Sequence, residues 1–146
     1  MPKIRHIALA AKDPEATAAF YINAFGFKET QRFGDFTGQT KGKSYGIYLS
    51  DGTLNLAVIR FGWSQGGKDL DFVGIHHIGV EVDDVGAYTE KLESLGAECL
   101  VRPPERPDSG EHIFYEVKFR APDDVLIDIA DKPWLGSTPA NAGKKS

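Results

Sequence analysis

Cysteine is nearly absent. With Cys99 alone among 146 residues, the chain can form no internal disulfide and no thiolate cluster for zinc. Its neighbours Ala97 and Leu100 mark Cys99 as a packing residue rather than a nucleophile. There is no run of about 18 apolar residues to cross a bilayer as a helix. Met1-Pro2-Lys3-Ile4-Arg5-His6 passes straight into strand-like sequence without the apolar centre of a signal peptide, so a cytoplasmic protein with no membrane partner is expected. Positive charge is in deficit: 17 Lys and Arg against 21 Asp and Glu leave a net charge of −4. No basic stripe interleaved with aromatics is present, which argues against nucleic acid as a partner. What the chain does have, 41% hydrophobic and 26% charged residues, suffices to bury one sizeable core in a single domain.

Two stretches open alike. Arg5-His6-Ile7-Ala8-Leu9 leads to Asp13 and a helix, and His76-His77-Ile78-Gly79-Val80 leads to Asp84 and a helix. His6 and His77 stand 71 residues apart, as do Asp13 and Asp84, so the chain reads as two copies of one unit. In the first copy Ile4 to Ala11 is a strand; Asp13-Pro14 opens a helix that Gly26 ends. Phe27 to Phe33 is a strand, and Tyr45 to Leu49 and Leu54 to Phe61 form a hairpin about Ser50-Asp51-Gly52. The second copy repeats this order: a strand from Ile75 to Val82, a helix from Asp84 to Gly96, then strands at Ala97 to Arg102, His112 to Arg120 and Val125 to Ala130. Asp123-Asp124 reads as a turn. The sequence predicts module one at 3–61, a linker at 62–74 and module two at 75–131 within one domain of residues 1–135, with 136–146 a disordered polar tail.

Strand alternation decides which side chains meet. Leu54, Leu56 and Val58, and Val125, Ile127 and Ile129, belong under the helices, as do Ile7, Leu9, Ile78 and Val80. His6, Asn55, His77 and Asp128 then share the opposite face, while His76 falls on the helix side as a surface or hydrogen-bonded core residue. Asn55 follows His6 by 49 residues and Asp128 follows His77 by 51, so each copy supplies one imidazole and one oxygen donor. On the penultimate strand the same alternation turns Ile113, Tyr115, Val117 and Phe119 to the core and His112, Phe114, Glu116 and Lys118 to the cavity.

The tandem strand-helix-three-strand units, the His-Ile-Ala-Leu and His-Ile-Gly-Val openings, and the closing Ala121-Pro122-Asp123-Asp124-Val125-Leu126-Ile127-Asp128 resemble the vicinal oxygen chelate superfamily of glyoxalase I, methylmalonyl-CoA epimerase, extradiol dioxygenases and fosfomycin-resistance proteins. The resemblance spans residues 3 to about 131. It implies an α+β fold in which two tandem βαβββ modules form an open, cupped, eight-stranded mixed sheet with the helices outside and a divalent metal within. His6, His77 and Asp128 fall on its metal-ligand positions. Asn55 falls on the fourth, where glutamate or glutamine is more usual, and Asp128 stands where glutamate is common.

Two imidazoles and a carboxylate accept iron, zinc, nickel, cobalt or manganese. An ion with open positions polarises a carbonyl and stabilises the enediolate formed when a neighbouring carbon loses a proton. Glu116 or His112 would accept that proton, with Glu81 and Tyr48 as weaker candidates. Each residue also has a plainer reading: His112 and Glu116 as a solvated strand face, Asn55 as a satisfied strand-end amide, Phe20, Tyr21 and Phe25 as core or interface. Lys41, Lys43, Arg102, Arg106 and Lys118 would draw an anionic substrate or serve as solvated charge. Three classes follow. The leading one is a metal-dependent lyase or isomerase of the glyoxalase or epimerase type acting on a small oxygenated molecule. The second is an Fe(II) extradiol-type dioxygenase, and the third a binding protein of the bleomycin-resistance kind. A homodimer is expected, because an open sheet leaves edges and an apolar rim to cover.

Overall fold

A computed structural model describes residues 2–37, 42–101 and 116–132. The chain runs β1 (Lys3–Ala10), α1 (Pro14–Phe25), β2 (Lys28–Phe33), β3 (Tyr45–Ser50) and β4 (Asn55–Arg60), and then β5 (Gly74–Glu81), α2 (Val85–Ser94), β6 (Glu98–Val101), β7 (Val117–Arg120) and β8 (Leu126–Ala130). Position 102 at the end of the strand expected from Ala97, positions 112 to 115 of the expected penultimate strand and the tail at 136–146 lie outside the described residues.

Local chemistry sets the element ends. Asp13 Oδ1 accepts from the Ala16 amide at 3.2 Å and Pro14 takes the first helical position. Gly26, at φ 73°, closes α1 by donating to Ile22 O at 2.8 Å. Asp84 repeats the N-cap on the Ala87 amide at 2.9 Å. Between β3 and β4, Asp51 Oδ1 accepts from the amides of Thr53 and Leu54, both at 2.7 Å. Between β7 and β8, Asp123 and Asp124 both adopt left-handed backbone in the expected turn.

All eight strands join one open mixed sheet in the order β2-β3-β4-β1-β5-β8-β7-β6. The two modules meet at the antiparallel β1–β5 pair, and each closes its half with a parallel pair, β1 to β4 and β5 to β8. On one face α1 packs Ala18, Tyr21 and Ile22 over Ile47, Leu49, Leu56 and Val58. There α2 packs Val85, Tyr88 and Leu92 over Val117, Phe119, Ile127 and Ile129. Leu56, Val58, Val80, Ile127 and Ile129 thus lie under the helices as their spacing demands, whereas Val125, expected there, is exposed at the turn before β8. On the opposite face, module one carries an apolar cluster of Ala8, Ala10, Tyr48, Ala57, Ile59 and Phe61, flanked by Phe33 and Phe72. No helix among the described residues is long and apolar enough to cross a membrane.

The β1–β5 register departs from simple alternation at two related points. It pairs Ile4 with Val80 and then His6 with Gly79, skipping Arg5; it pairs Ala8 with His77 and then Leu9 with Ile75, skipping His76. Each skipped residue is a β-bulge, which turns a side chain to the face it would otherwise avoid. Arg5 and His76 occupy the same place in the two copies, immediately before His6 and His77. The expectation that His76 lies on the helix side is corrected by this bulge: His76 turns to the face of His77 and is bonded to it.

Candidate metal centre

Strand pairing assembles the site in two rows. One runs across six strands as Ser50, Asn55, His6, Gly79, Asp128 and Lys118, and the next runs as Tyr48, Ala57, Ala8 and His77. His6 Nε2 lies 3.1 Å from His77 Nε2, His77 Nε2 lies 3.0 Å from Asp128 Oδ2, and His6 Nε2 lies 3.5 Å from the same oxygen. All three residues are buried. Donors bonded at about 2.1 Å to one ion stand about 3.0 Å apart at a right angle and about 3.4 Å apart in a tetrahedron. The triangle of 3.0, 3.1 and 3.5 Å has the dimensions of one face of such a shell. Gly79 makes room for it, because a Cβ there would overlap the His6 ring.

The electrostatics suit a cation. Burial pushes His6 down to about 4, against the opposing charge of Asp128. Burial likewise lowers His77, and takes His76 to about 3. At neutral pH these imidazoles are therefore uncharged and offer lone pairs. Burial works to raise Asp128, but His6, hydrogen bonding from both imidazoles and the Lys118 charge outweigh it and hold the carboxyl well below its usual range. With the Nε2 protons removed, three electron-rich atoms converge on one point, and a divalent ion fits that donor set.

Beside the triangle sits a charged cluster. Arg5, fully buried, donates to Glu116 and, at 2.9 Å, to Lys132 O; it also lies 3.6 Å from Asp128 Oδ1. Lys118 Nζ lies 3.3 Å from Asp128 Oδ2 and 3.9 Å from Glu116 Oε2. Burial and the Asp128 charge raise Glu116 to about 7, against the pull of Lys118 and Arg5. Among the described residues, this charged cluster thus stands on the same face as the apolar and aromatic cluster of module one.

The structure brings His6, His77, Asp128, Glu116 and Lys118 together and places His112, Lys41, Arg102 and Arg106 outside the described residues. Asn55 is buried and pairs with His6 itself. The expectation that Asn55 mirrors Asp128 is corrected by the register. Asp128 pairs with Gly79, two residues beyond His77, and the corresponding partner of Ala8, two beyond His6, is Ala57. Tyr48 is buried in the apolar cluster, its hydroxyl pushed upward in pKa by burial. Glu81 is buried and pairs with Lys3 at the far end of β5. Phe20 and Phe25 are exposed on α1, whereas Tyr21 packs into the core. Alternation alone missed Arg5 and His76. The signal for both was a polar pair at the same offset in each copy, Arg5-His6 and His76-His77.

The profile of the Glyoxalase/Bleomycin resistance protein/Dioxygenase superfamily matches residues 3–129. The chain belongs to that superfamily. Among solved structures, it is similar to a hypothetical protein from Bacillus halodurans C-125 at 16% identity, with TM-score 0.67 over 94% of this chain and 99% of that one. It is also similar to a methylmalonyl-CoA epimerase in complex with methylmalonyl-CoA and NH4+ at 19% identity, with TM-score 0.66 and the same coverage. A variant of the Streptomyces coelicolor methylmalonyl-CoA epimerase bound to 2-nitronate-propionyl-CoA matches at 21% identity, TM-score 0.62, over 87% of this chain and 94% of that one. At these identities the likeness is one of fold.

Proposed function

We propose that the protein is a divalent-metal-dependent enzyme of the glyoxalase or epimerase type, moving a proton at a carbon next to a carbonyl in a small oxygenated substrate. The observation that carries this reading is the convergence of His6 Nε2, His77 Nε2 and Asp128 Oδ2 beside a carboxyl group raised to about 7. In this reading His6, His77 and Asp128 hold the ion and Asn55 borders the site beside His6. A bound divalent ion would supply Lewis-acid polarisation of a carbonyl oxygen. Glu116 accepts the proton, because its raised pKa gives the group both protonation states near neutral pH. Arg5 fixes Glu116 from the buried side, and Lys118 offers positive charge to an anionic substrate. The aromatic wall of Tyr48, Phe61 and Phe72 keeps water from the apolar part of the substrate. Methylmalonyl-CoA, the carbon acid named for one of the epimerase structures, supports this class of chemistry.

The first test measures metal content after purification without chelator and then solvent-deuterium exchange into methylmalonyl-CoA, with Glu116→Gln as the comparison. Exchange by the wild type that Glu116→Gln loses supports the reading; exchange that Glu116→Gln retains removes Glu116 as the base. Ala57 favours a second reading. With no donor at the counterpart of Asp128, two imidazoles and one carboxylate are the set used by Fe(II) dioxygenases. Bound iron with oxygen uptake on a diol, and no deuterium exchange, would establish that alternative.

A further inference from the structure

His76 has no part in the proton transfer just described, yet it is buried against one of the proposed ligands. Its Nδ1 lies 2.8 Å from Nδ1 of His77. Its ring stacks on Phe61 at a centroid distance of 3.9 Å and an interplanar angle of 15°, and meets the edge of Phe72 at 6.0 Å. The β5 bulge turns it to this face, and the stack on Phe61 with the edge contact to Phe72 fixes its plane. Two nitrogens at 2.8 Å share one proton, so one of them donates and the other accepts.

The position of that proton decides what His77 offers at its other nitrogen. With the proton on His76, a neutral His77 carries hydrogen on Nε2 and donates to Asp128 Oδ2, 3.0 Å away. With the proton on His77 Nδ1, Nε2 presents a lone pair toward Asp128 and His6, as a metal ligand must. We propose that His76 is a positioning residue that accepts the Nδ1 proton of His77 and thereby holds His77 as an Nε2 ligand. Ion binding then exchanges tautomers without changing net charge. The Nε2 proton of His77 leaves to solvent, the shared proton passes from His76 Nδ1 to His77 Nδ1, and His76 Nε2 takes up one proton. Arg5 holds the same bulge position before His6 but bonds Glu116 and Lys132, so only the second copy has an imidazole in this role.

This inference rests on the proposed metal centre, and its test separates the two. Zinc affinity of the full-length protein is measured by competition with a chromophoric chelator for wild type, His76→Phe, His76→Asn and His77→Ala. The ¹⁵N-histidine spectra of the wild type are recorded with chelator and with zinc. His76→Phe keeps the ring on Phe61 but removes the acceptor and should weaken zinc binding about 10- to 100-fold, the range typical for losing a ligand's outer partner. His76→Asn, whose Oδ1 can replace Nδ1 as acceptor, should restore most of that loss. The wild-type spectra should show His76 protonated on Nδ1 with chelator and on Nε2 with zinc, with the reverse exchange on His77; a His76 tautomer that does not change when zinc binds overturns its role even if a variant fails to fold. Wild-type affinity in His76→Phe while His77→Ala loses zinc would overturn the role of His76 and leave the metal centre standing. Absence of zinc binding by the wild type would overturn the metal centre itself.

Discussion

Replacing Gly79 with alanine adds one methyl group and removes no donor atom, yet it should empty the proposed metal centre. Gly79 stands between β1 and β8, paired with His6 on one side and Asp128 on the other. A Cβ at this position overlaps Cε1, Nδ1 and Nε2 of the His6 ring. The backbone on both sides is fixed by strand pairing, so the imidazole is the part that must move. Overpacking of this kind costs about 1–3 kcal/mol. The helix-side clusters are untouched, so the fold should survive with that loss. Displacing one of three donors should lower zinc affinity by more than about 100-fold, beyond what removing a ligand's outer partner does. Chelator competition and urea denaturation read the two effects separately. Gly86 provides the control: a Cβ there meets only Asp84 Oδ1 at 3.5 Å, so Gly86→Ala should bind zinc like wild type. If Gly79→Ala also binds zinc like wild type, the placement of His6 over Gly79 is wrong.

Glu116→Gln should keep zinc and lower turnover by about 100-fold or more, the contribution of a positioned base; unchanged turnover refutes its role. Chelator-treated protein should lose stability on acidification. His6, His76 and His77 all have folded pKa values below 6.5, so the unfolded chain binds up to three more protons as the pH falls from about 6.5 toward 4. Glu116, raised to about 7, opposes this with one proton held by the folded state. Near pH 5.5, where the net approaches two protons, the loss approaches about 2.7 kcal/mol per pH unit, and it is small above pH 7, as read from urea midpoints between pH 7.5 and 5; stability that holds or rises between pH 6.5 and 5 refutes it. A homodimer should sediment at twice the 16.0 kDa chain mass, because Ile4 and Ile75 on the central strands are 48% and 63% exposed. A single-chain species at micromolar concentration counts against it.

The helix ends were legible because Asp13-Pro14, Gly26 and Asp84 act through their nearest neighbours, and distant contacts do not alter that chemistry. The grouping of His6, His77 and Asp128 was legible because the repeat and a two-residue period constrain the same positions twice. Lys118 likewise follows by alternation to the place opposite Asp128 that the β7–β8 register gives it. Alternation fails where a residue is added. A bulge changes nothing in composition, so alternation alone puts His76 on the wrong side and gives Arg5 no role. The spacing of 49 from His6 to Asn55, against 51 from His77 to Asp128, held the clue that Asn55 lies one pair out of step. The length of a hairpin cannot be read closely enough from its turn residues to use that clue.

The central claim is that His6, His77 and Asp128 together hold one divalent ion. Elemental analysis of the purified wild type, His77→Ala and Asp128→Ala, with circular dichroism to establish that each is folded, tests it most directly. The account predicts one ion per wild-type chain and little in either folded variant. Full stoichiometric metal in both variants would contradict it.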